Sequence, residues 1–280
     1  MIDISPMAER MMKLALDEDL GFGDITTDAV LDPDLKGRAY LIAREELVLA
    51  GMPVFKRVFL ELNAELEFEE YYGDGDLIPQ ETTVCLLRGR LAPILRGERT
   101  ALNFLQRMSG IATLTHRYVE KVKPYGVRIL DTRKTAPGLR WFDKYAVRMG
   151  GGFNHRFGLS DGILIKDNHI AAAGSISRAI RLTKRCAPHT LNIEVEVEDL
   201  AGVEEACRAG ADAILLDNMD PSELKKAVEL INGTVVTEAS GGITLDTIED
   251  IAATGVDMIS VGALTHSVKA ADFSLEVRPE

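Results

Sequence analysis

The sequence predicts an α/β protein whose carboxyl-terminal part consists of parallel strands and covering helices. Two observations predict this class. After Pro124, short apolar runs alternate with amphipathic segments, and charged or glycine-rich residues follow nearly every run. A β-α-β-α order is typical of a parallel sheet whose faces are covered by helices. With 280 residues, the chain is long enough for one large domain or two smaller ones with a sizeable core.

The chain begins with a predicted helix. Ser5 and Pro6 are of the residue types that cap a helix and open its first turn. An apolar stripe at helical spacing is formed by Met7, Met11 and Leu14. We therefore expect a helix that starts at Pro6 and carries this stripe along one side.

A sheet-containing segment and a long helix come next. Between Gly37 and Arg90, short strand-like runs are separated by Gly-Met-Pro, Gly-Asp-Gly-Asp and Ile-Pro, a pattern that predicts a small sheet domain. From about Glu98 to Val122 the spacing of apolar residues predicts one long helix. Its apolar face comprises Leu102, Leu105, Met108, Ile111 and Leu114.

Six apolar runs after Pro124 are predicted strands. They lie at residues 127–130, 163–165, 191–197, 213–216, 234–239 and 258–262. Six strands would form an incomplete barrel, and a doubly wound sheet is the alternative. Functional side chains occur at the carboxyl end of nearly every run, as on the catalytic face of α/β barrels, so we favour the barrel.

The charge distribution indicates a small anionic ligand. The chain has a net charge of −12, but residues 128–169 contain eight Lys or Arg and four Asp and so carry +4. The rest of the chain therefore carries −16, which would repel a nucleic acid. Because the basic residues stand beside glycines and at strand ends, where binding loops occur, we expect a small molecule with several negative charges.

Cysteine usage and hydropathy predict a cytoplasmic protein with no membrane partner. Cys85, Cys186 and Cys207 are widely separated, with no CxxC motif and no histidine at metal-ligand spacing. This pattern argues against disulfide bonds and against a structural zinc site. No run reaches the ~18–20 apolar residues of a membrane span, and the amino terminus lacks the apolar core of a signal peptide.

Cationic side chains follow the first two predicted strands. Arg133 and Lys134 come directly after the first strand, and their adjacent positions point them toward different ligand groups. His155 and Arg156 follow a three-glycine stretch that lets the backbone approach a ligand. Lys166 ends the second strand. Each cation alone would be read as a surface salt bridge, but their succession at strand ends favours a binding site.

Carboxylates follow the next strands. Glu194, Glu196 and Glu198 alternate with apolar residues, which places them on one face of a strand. A solvated edge strand is the alternative, yet inward carboxylates in a barrel need cations or a metal ion. Asp217 ends the following strand. Glu196 and Asp217 together suit Mg²⁺ or ribose hydroxyl groups, because hard cations prefer oxygen ligands.

Two glycine-bearing segments end the last two strands. They are Ser240-Gly241-Gly242 and Val261-Gly262-Ala263. In α/β barrels, the loops after the last strands often bind phosphate through backbone N–H groups and a helix amino terminus. A single Ser-Gly-Gly could be only a turn, whereas two such loops in succession indicate a phosphate site.

Nine long stretches carry a family resemblance that covers essentially the whole chain. They are GDITTD (23–28), ERTALNFLQRMSGIAT (98–113), DTRKTAPGLR (131–140), KYAVRMGGGFNHR (144–156), LSDGILIKDNHI (159–170), EVEVE (194–198), ILLDN (214–218), EASGGI (238–243) and ISVGALTHS (259–267). In these stretches and their order, the chain closely resembles the quinolinate phosphoribosyltransferases, the carboxylating nicotinate-nucleotide pyrophosphorylases.

The resemblance implies a fold and a reaction. The fold is that of type II phosphoribosyltransferases: an amino-terminal α/β sandwich domain (1–110), an incomplete parallel α/β barrel (111–270) and a segment that returns to the first domain (271–280). The reaction joins quinolinate and phosphoribosyl pyrophosphate and yields nicotinate mononucleotide, pyrophosphate and CO₂, with Mg²⁺, in de novo NAD synthesis. The resemblance also implies a homodimer, or a higher oligomer, with a shared active site.

Residue roles follow from the same resemblance. Arg133, His155 and Arg156 bind the pyridine dicarboxylate, and Arg99 reaches in from the neighbouring subunit. Lys134 and Lys166 contact the dianion and the pyrophosphate, and Glu196 and Asp217 hold Mg²⁺ and the ribose hydroxyls; these four are the expected catalytic residues. The backbones of Ser240, Gly241, Gly242, Val261, Gly262 and Ala263 cradle the 5′-phosphate. The residue that protonates the ring after CO₂ leaves is not evident from the sequence.

Three other functions compete with this one. The first is a relative with the same fold and another substrate, such as the homologue associated with molybdenum transport. The second is a phosphate-binding barrel decarboxylase or isomerase, which would explain the glycine loops but not Arg99. The third is a ligand-binding or regulatory protein on a degenerate scaffold. A type I phosphoribosyltransferase would need a strand that ends in paired acidic residues and a threonine-rich phosphate loop, and neither motif is found.

Overall fold

The structure, a computed structural model, describes residues 4–280. The chain divides into two compact units. The first comprises the residues up to 116 together with 135–151 and 265–280, and the second comprises 117–134 and 152–264. The domain limits at 110 and 270 expected from the resemblance stay a prediction.

The helices and strands of the amino-terminal part, in chain order, are α1 (Pro6–Leu20), α2 (Ile25–Val30), β1 (Lys36–Ala43), β2 (Leu47–Val48), α3 (Met52–Leu62), β3 (Glu67–Glu70), β4 (Leu77–Ile78), β5 (Thr82–Arg90) and α4 (Leu91–Val122). Those that follow are β6 (Arg128–Leu130), α5 (Arg140–Met149), β7 (Ile163–Ile165), α6 (Asp167–Ala173), α7 (Ile176–Cys186), β8 (Ile193–Val197), α8 (Leu200–Ala209), β9 (Ala213–Asp217), α9 (Pro221–Ile231), β10 (Val236–Ser240), α10 (Ile248–Ala252), β11 (Met258–Ser260), α11 (Ala263–His266) and β12 (Phe273–Pro279).

The first unit is built on a four-stranded antiparallel sheet in the order β12-β1-β5-β3. The small sheet domain predicted from the sequence is thereby confirmed. The last strand of the chain pairs along the whole of β1, from Gly37 opposite Pro279 to Ala43 opposite Phe273. Helix α3 is buried through Phe55 and Phe59, whose rings meet edge to face at 5.0 Å.

Helix α1 starts where the sequence predicts, but another face of it is buried. The Ser5 hydroxyl accepts a hydrogen bond from the Ala8 amide at 3.2 Å, and Pro6 occupies the first turn. The buried side chains are Ala8, Met12 and Leu16. The predicted stripe lies elsewhere, since Met7 is 50% and Leu14 is 59% exposed. Spacing along the sequence defines a face of a helix but not what that face contacts.

Helix α4 has the predicted apolar face and begins earlier than predicted. Leu102, Leu105, Met108 and Ile111 are buried, and Leu114 is partly buried. The helix starts at Leu91 and not near Glu98. Pro93 lies in its first turn, where a missing backbone N–H costs nothing, so the proline does not delay the start. The hydroxyl of Ser109 joins the helix to the Ala50 backbone, with 3.1 Å to both the amide nitrogen and the carbonyl oxygen.

The second unit is built on a six-stranded parallel sheet in the order β6-β11-β10-β9-β8-β7. All six predicted strands are present, and the incomplete barrel with covering helices is confirmed. Helices α6 to α10 contact one another in chain order, as crossover connections between neighbouring parallel strands do. Since the strands are parallel, all six carboxyl ends lie at one edge of the sheet, which is where ligands bind in such folds.

Within residues 4–280, no helix combines the length and the apolar character that crossing a membrane requires.

A buried ion pair joins α4 and α5 within the first unit. Arg107 donates from Nε to Asp143 Oδ1 at 2.8 Å and from Nη2 to Asp143 Oδ2 at 2.9 Å. Asp143 is fully buried, and burial raises the pKa of its carboxyl, while the Arg107 charge opposes that effect. Arg107 also donates to the Thr265 carbonyl at 3.2 Å. The pair thus connects three segments that are distant in the sequence.

We expect Arg107→Met to lower the free energy of unfolding by about 3–5 kcal/mol, because it leaves the Asp143 carboxylate buried without its partner. Urea denaturation followed by circular dichroism measures this change. Arg107→Met combined with Asp143→Leu should lose less, and Arg208→Met on the exposed face of α8 should change stability by no more than about 0.5 kcal/mol. An equal loss in the single and double variants would contradict the role of the ion pair.

Candidate active site

A cavity of about 380 Å³ opens at the carboxyl edge of the parallel sheet in the second unit. This size is sufficient for a small ligand. Eight of the residues predicted for the site line it: Arg133, Lys134, His155, Arg156, Lys166, Glu196, Asp217 and Ser240. The structure therefore collects at one place side chains that lie more than one hundred residues apart in the chain.

Asp131 holds together the two segments that supply most of the cations. Its carboxylate is fully buried at the end of β6 and accepts hydrogen bonds from the His155 amide at 2.9 Å and from Asn154 Nδ2 at 2.6 Å. The next residue, Thr132, accepts a hydrogen bond from the Lys134 amide at 3.0 Å. Because Asp131 ties the loop before β7 to the end of β6, it positions His155 beside the lysine and arginine that follow β6.

Arg156 stands in a setting that favours an anion. Its Nη1 donates to the Gly162 carbonyl at 3.1 Å, which orients the guanidinium. Burial and the neighbouring positive charge of Arg133 lower the pKa of Arg156, and the negative charges of Glu194 and Asp161 partly offset this effect. Two like charges kept close in a partly buried site are relieved when a ligand brings negative charge between them.

Lys166 and Glu196 form an ion pair across the cavity, from the end of β7 to β8. Glu196 is mostly buried, and Lys166 is more exposed. On the next strand, Asp217 accepts a hydrogen bond from the Asn218 side chain at 2.7 Å. The two carboxylates predicted to hold a metal ion thus both face the cavity, one with a lysine as its present partner.

Strand β8 has the predicted alternation over a shorter length. Ile193, Val195 and Val197 are buried on one face, and Glu194 and Glu196 lie on the other. Glu198 follows the end of the strand and is exposed, so the prediction of three carboxylates on one strand face was wrong for this residue. The strand ends at Val197 because Asp199 caps α8 by accepting a hydrogen bond from the Gly202 amide at 2.7 Å.

A second acidic cluster borders the cavity and was not predicted as a site. It consists of His155, Glu194 and Glu238, whose ligand atoms lie within 4.8 Å of one another. His155 Nε2 is 3.0 Å from Glu194 Oε2 and 3.7 Å from Glu238 Oε1. Within residues 4–280, this is the group of three side chains whose types and distances could hold a metal ion.

The hydrogen bonds define the tautomer of His155. The Arg156 amide donates to His155 Nδ1 at 2.8 Å, so Nδ1 acts as an acceptor and carries no proton. The proton of the neutral ring is therefore on Nε2, which donates to Glu194. His155 in this state connects the cationic loop to the carboxylate on β8.

Glu238 is a buried carboxyl with an unusual environment. It is 1% exposed, and neither oxygen makes a hydrogen bond of normal geometry within the described residues, although Ser260 and Glu194 are close enough to affect its charge. Burial and the charge of Glu194 raise its pKa from the ordinary 4.5 to about 7, against the opposing effect of His155. At neutral pH this side chain therefore retains its proton in a large part of the molecules.

The two glycine segments differ in how they are built. Gly241 and Gly242 follow β10 with φ of +98° and +59°, and a side chain at Gly241 would collide with Asn218. Val261 is buried, and its amide donates to the Leu130 carbonyl at 2.9 Å. That N–H is therefore occupied within the fold, and the amides that follow it, at Gly262 and Ala263, lie at the start of α11.

Arg99 does not line this cavity. It is an exposed residue of α4 in the first unit, where it borders a separate cavity of about 560 Å³ together with Met11, Leu14 and Arg107. The exposed apolar stripe of α1 thus belongs to the same concave surface as Arg99.

Sequence reasoning missed four residues of the site. Ser260 and Glu238 line the cavity, and Asp131 and Glu194 orient the residues that do. Glu194 had been noted as an inward carboxylate, and Asp131 and Glu238 are the first residues of motifs that the resemblance singled out. The position of Asp131 directly after a strand was a signal available in the sequence.

Two family models match the chain. One, for the quinolinate phosphoribosyl transferase C-terminal domain, covers residues 111–276, and the other, for the N-terminal domain of the same family, covers residues 24–109.

The chain is also similar to named proteins and to solved structures. It is 45% identical over 260 residues to a probable nicotinate-nucleotide pyrophosphorylase [carboxylating] of Bacillus subtilis, covering 93% of this chain and 90% of that protein. It is 44% identical to a quinolinate phosphoribosyltransferase [decarboxylating] of Nicotiana tabacum, covering 96% of this chain and 82% of that protein. The crystal structure of NadC from Streptococcus pyogenes superposes with a TM-score of 0.96 at 44% identity and covers 100% of both chains.

We expect the free energy of unfolding of Glu238→Gln, relative to that of wild type, to increase as pH rises. The folded wild type retains a proton on Glu238 that the unfolded chain releases, so its stability falls between pH 4.5 and about 7. The neutral glutamine removes this loss, which should amount to about 2–3 kcal/mol between pH 4.5 and pH 8. Urea unfolding at both pH values measures it, with the exposed Glu204→Gln as control. A difference between variant and wild type that is independent of pH would contradict the raised pKa.

Proposed function

The chain belongs to the quinolinate phosphoribosyltransferase family, and from this premise we propose that it transfers the phosphoribosyl group of phosphoribosyl pyrophosphate to quinolinate with loss of CO₂. The products are nicotinate mononucleotide, pyrophosphate and CO₂, and the reaction supplies de novo NAD synthesis. The observation that carries the proposal is the cavity in which four cations and a histidine meet carboxylates at the carboxyl edge of the parallel sheet.

The cationic side of the cavity suits quinolinate, which has two adjacent ring carboxylates. Arg133, His155 and Arg156 would bind them, because planar guanidinium groups match carboxylates in geometry and charge. Burial and, after it, the positive charge of Arg133 already lower the pKa of Arg156, so an incoming dianion is favoured electrostatically. Asp131 positions this group by its hydrogen bond to the His155 amide.

The remaining cations suit the pyrophosphate, and the two glycine segments suit the 5′-phosphate. Lys134 and Lys166 would contact the departing pyrophosphate, and Lys166 is already held over the cavity by Glu196. The 5′-phosphate would lie at Ser240, Gly241 and Gly242 and at the amides that follow Val261. The left-handed backbone at both glycines supports this assignment, since such turns direct consecutive N–H groups toward an anion.

Glu196 and Asp217 would hold Mg²⁺ and the ribose hydroxyls. Both are carboxylates on neighbouring strands and face the same cavity, and oxygen donors of this kind are the ligands that Mg²⁺ prefers. The ion would supply a positive charge to the pyrophosphate group, and Glu196 would have to exchange its contact with Lys166 for it.

The residues of the cavity would contribute to the reaction mainly by positioning the substrates and by stabilising the charges that develop on them. As pyrophosphate leaves, positive charge develops at the anomeric carbon of the ribose, and Glu196 and Asp217 would stabilise it. The pyridine nitrogen becomes quaternary on bonding to that carbon, and its positive charge then stabilises the electron pair that stays on the adjacent ring carbon when the neighbouring carboxylate leaves as CO₂. The arginines and His155 would hold both carboxylates in the ring plane throughout.

The active site is proposed to be completed by a second subunit of a homodimer in the cytoplasm. Arg99, the partly buried Met11 and the exposed Leu14 share a concave surface of the first unit, and an apolar surface with a central arginine is typical of a protein interface. The three cysteines form no disulfide, as expected of a reducing compartment.

We expect the purified protein with phosphoribosyl pyrophosphate, Mg²⁺ and quinolinate to release pyrophosphate, CO₂ and nicotinate mononucleotide in equal amounts, and to make no product from nicotinate.

Arg133→Ala and Arg156→Ala should each raise the KM for quinolinate by about 10- to 100-fold, since each removes a charged hydrogen bond. Arg208→Ala, exposed on α8, serves as the matched control. Normal turnover of quinolinate by the Arg156→Ala variant would show that Arg156 does not bind the substrate. Absence of product with the wild-type protein would indicate a same-fold relative with another substrate.

We expect Arg99→Ala and Lys166→Ala proteins, each inactive alone, to regain about a quarter of wild-type activity when mixed under conditions of subunit exchange. Half the dimers would then be mixed, and each would contain one intact site. A mixture of Lys166→Ala with Glu196→Ala provides the control, because both changes affect the same cavity and no intact site can form. Lack of recovery in the Arg99 mixture would show that Arg99 does not act across subunits.

A further inference from the structure

We propose that Glu238 is the proton donor of the reaction and protonates the pyridine ring carbon from which CO₂ departs. This inference rests on the proposed function and deepens it, because the reaction needs a proton at that carbon and the residues assigned so far leave its source open.

The position of Glu238 meets the first requirement of such a donor. Its side chain borders the cavity of the second unit and is otherwise enclosed by protein, with 1% exposure. Neither oxygen has a hydrogen bond of normal geometry to another group among residues 4–280. Burying a carboxylate without donors is unfavourable, so the neutral acid is the stable form in this place. Such an acid holds its proton beside the cavity.

The neighbours of Glu238 stabilise the protonated form. Glu194 faces it from β8 with a negative charge, and Ser260 faces it from β11 with a hydroxyl. The register places apolar Leu215 of β9 directly opposite. Of the cations that border the same cavity, Arg156 acts on the charge of Glu194, and Lys166 is paired with Glu196.

His155 is the remaining neighbour, and its Nε2–H group donates to a residue other than Glu238. Nε2 is 3.0 Å from Glu194 and 3.7 Å from Glu238, so the histidine donates to Glu194. Its Nδ1 accepts from the Arg156 amide. The raised pKa of Glu238, about 7, agrees with this arrangement of one anion, one committed donor and deep burial. General acids work best when their pKa lies near the working pH.

A metal ion is the competing explanation for this cluster, and the tautomer of His155 argues against it. A neutral imidazole that binds a metal through Nε2 must carry its proton on Nδ1. Here Nδ1 already accepts the Arg156 N–H at 2.8 Å, so a proton at that atom would face another proton. The cluster is therefore arranged to hold a proton and not a cation.

The bond between the ring carbon and the carboxylate breaks, CO₂ departs, and the electron pair stays on the ring carbon beside the quaternary nitrogen. The O–H bond of Glu238 breaks, and its proton forms the new C–H bond. Glu238 is left as a carboxylate beside Glu194, which is unfavourable, so it takes up a proton from water when the product leaves the cavity.

The test separates transfer from protonation in a single turnover with enzyme in excess over quinolinate. In wild type, pyrophosphate, CO₂ and nicotinate mononucleotide form together. In Glu238→Gln, which keeps the shape of the side chain, we expect pyrophosphate to form within about threefold of the wild-type rate. Nicotinate mononucleotide should form about 10²-fold more slowly or less, and the undecarboxylated mononucleotide should accumulate. Equal losses in pyrophosphate and product, or no loss in either, would overturn the proposal.

The pH profile and a conservative variant give readouts that a purely structural role would not change. The product-forming rate of wild type should fall as pH rises through about 7, where Glu238 loses its proton, and Glu238→Gln should lack this fall. Glu238→Asp keeps the acid on a shorter side chain and should recover part of the rate. A profile that is unchanged in Glu238→Gln would contradict the assignment.

Direct observation of the carboxyl tests its protonation in the ligand-free protein, independently of activity. The infrared C=O band of a protonated carboxyl should be present in ligand-free wild type at pH 6 and absent at pH 9, with Glu238→Gln to identify it. An ionised Glu238 at pH 6 would overturn the proposal, and so would Mn²⁺ binding that Glu238→Gln abolishes. Wild type that forms no pyrophosphate with quinolinate would instead refute the proposed function, and the infrared result would still report the state of Glu238.

Discussion

The parallel direction of six strands is the constraint on which the rest of this molecule depends. Because all six strands run in the same direction, their carboxyl ends lie at the same edge of the sheet. Residues from all six strands or directly after them therefore share one cavity. Arg133, Lys166 and Asp217 each occupy the end of a different strand. Strands of alternating direction would have sent half of these side chains to the opposite edge.

Opposite charges within that cavity are organised by specific pairings. Asp131 holds the His155 loop, and Glu196 is matched by Lys166 across neighbouring strands. The arginines keep their positive charge toward the ligand, while burial lowers the pKa of Arg156 and raises that of Glu238. One pocket can therefore bind a dianion and still contain a neutral acid, because the local surroundings of each group determine its protonation.

The local sequence pattern predicted the helices and strands better than it predicted which residues surround them. All six parallel strands and the cap of α1 at Ser5 are where the sequence indicates. The sequence did not show which face of α1 is buried, since Met7 and Leu14 have helical spacing but lie on the exposed side. The predicted start of α4 near Glu98 was late by seven residues, since the helix begins at Leu91 and contains Pro93 in its first turn, where proline is tolerated.

The sequence by itself determined the α/β class, the order of the strands along the chain and most of the charged residues of the site, since these follow from periodicity and from residue types at the ends of apolar runs. Only the tertiary structure decided that Glu238 and Glu194 meet His155, that Asp131 connects two loops, and that Arg99 lines a cavity within the first unit. The reason is physical: a pKa, a tautomer and a hydrogen bond depend on distance and burial among residues far apart in the chain, and spacing along the sequence contains neither quantity.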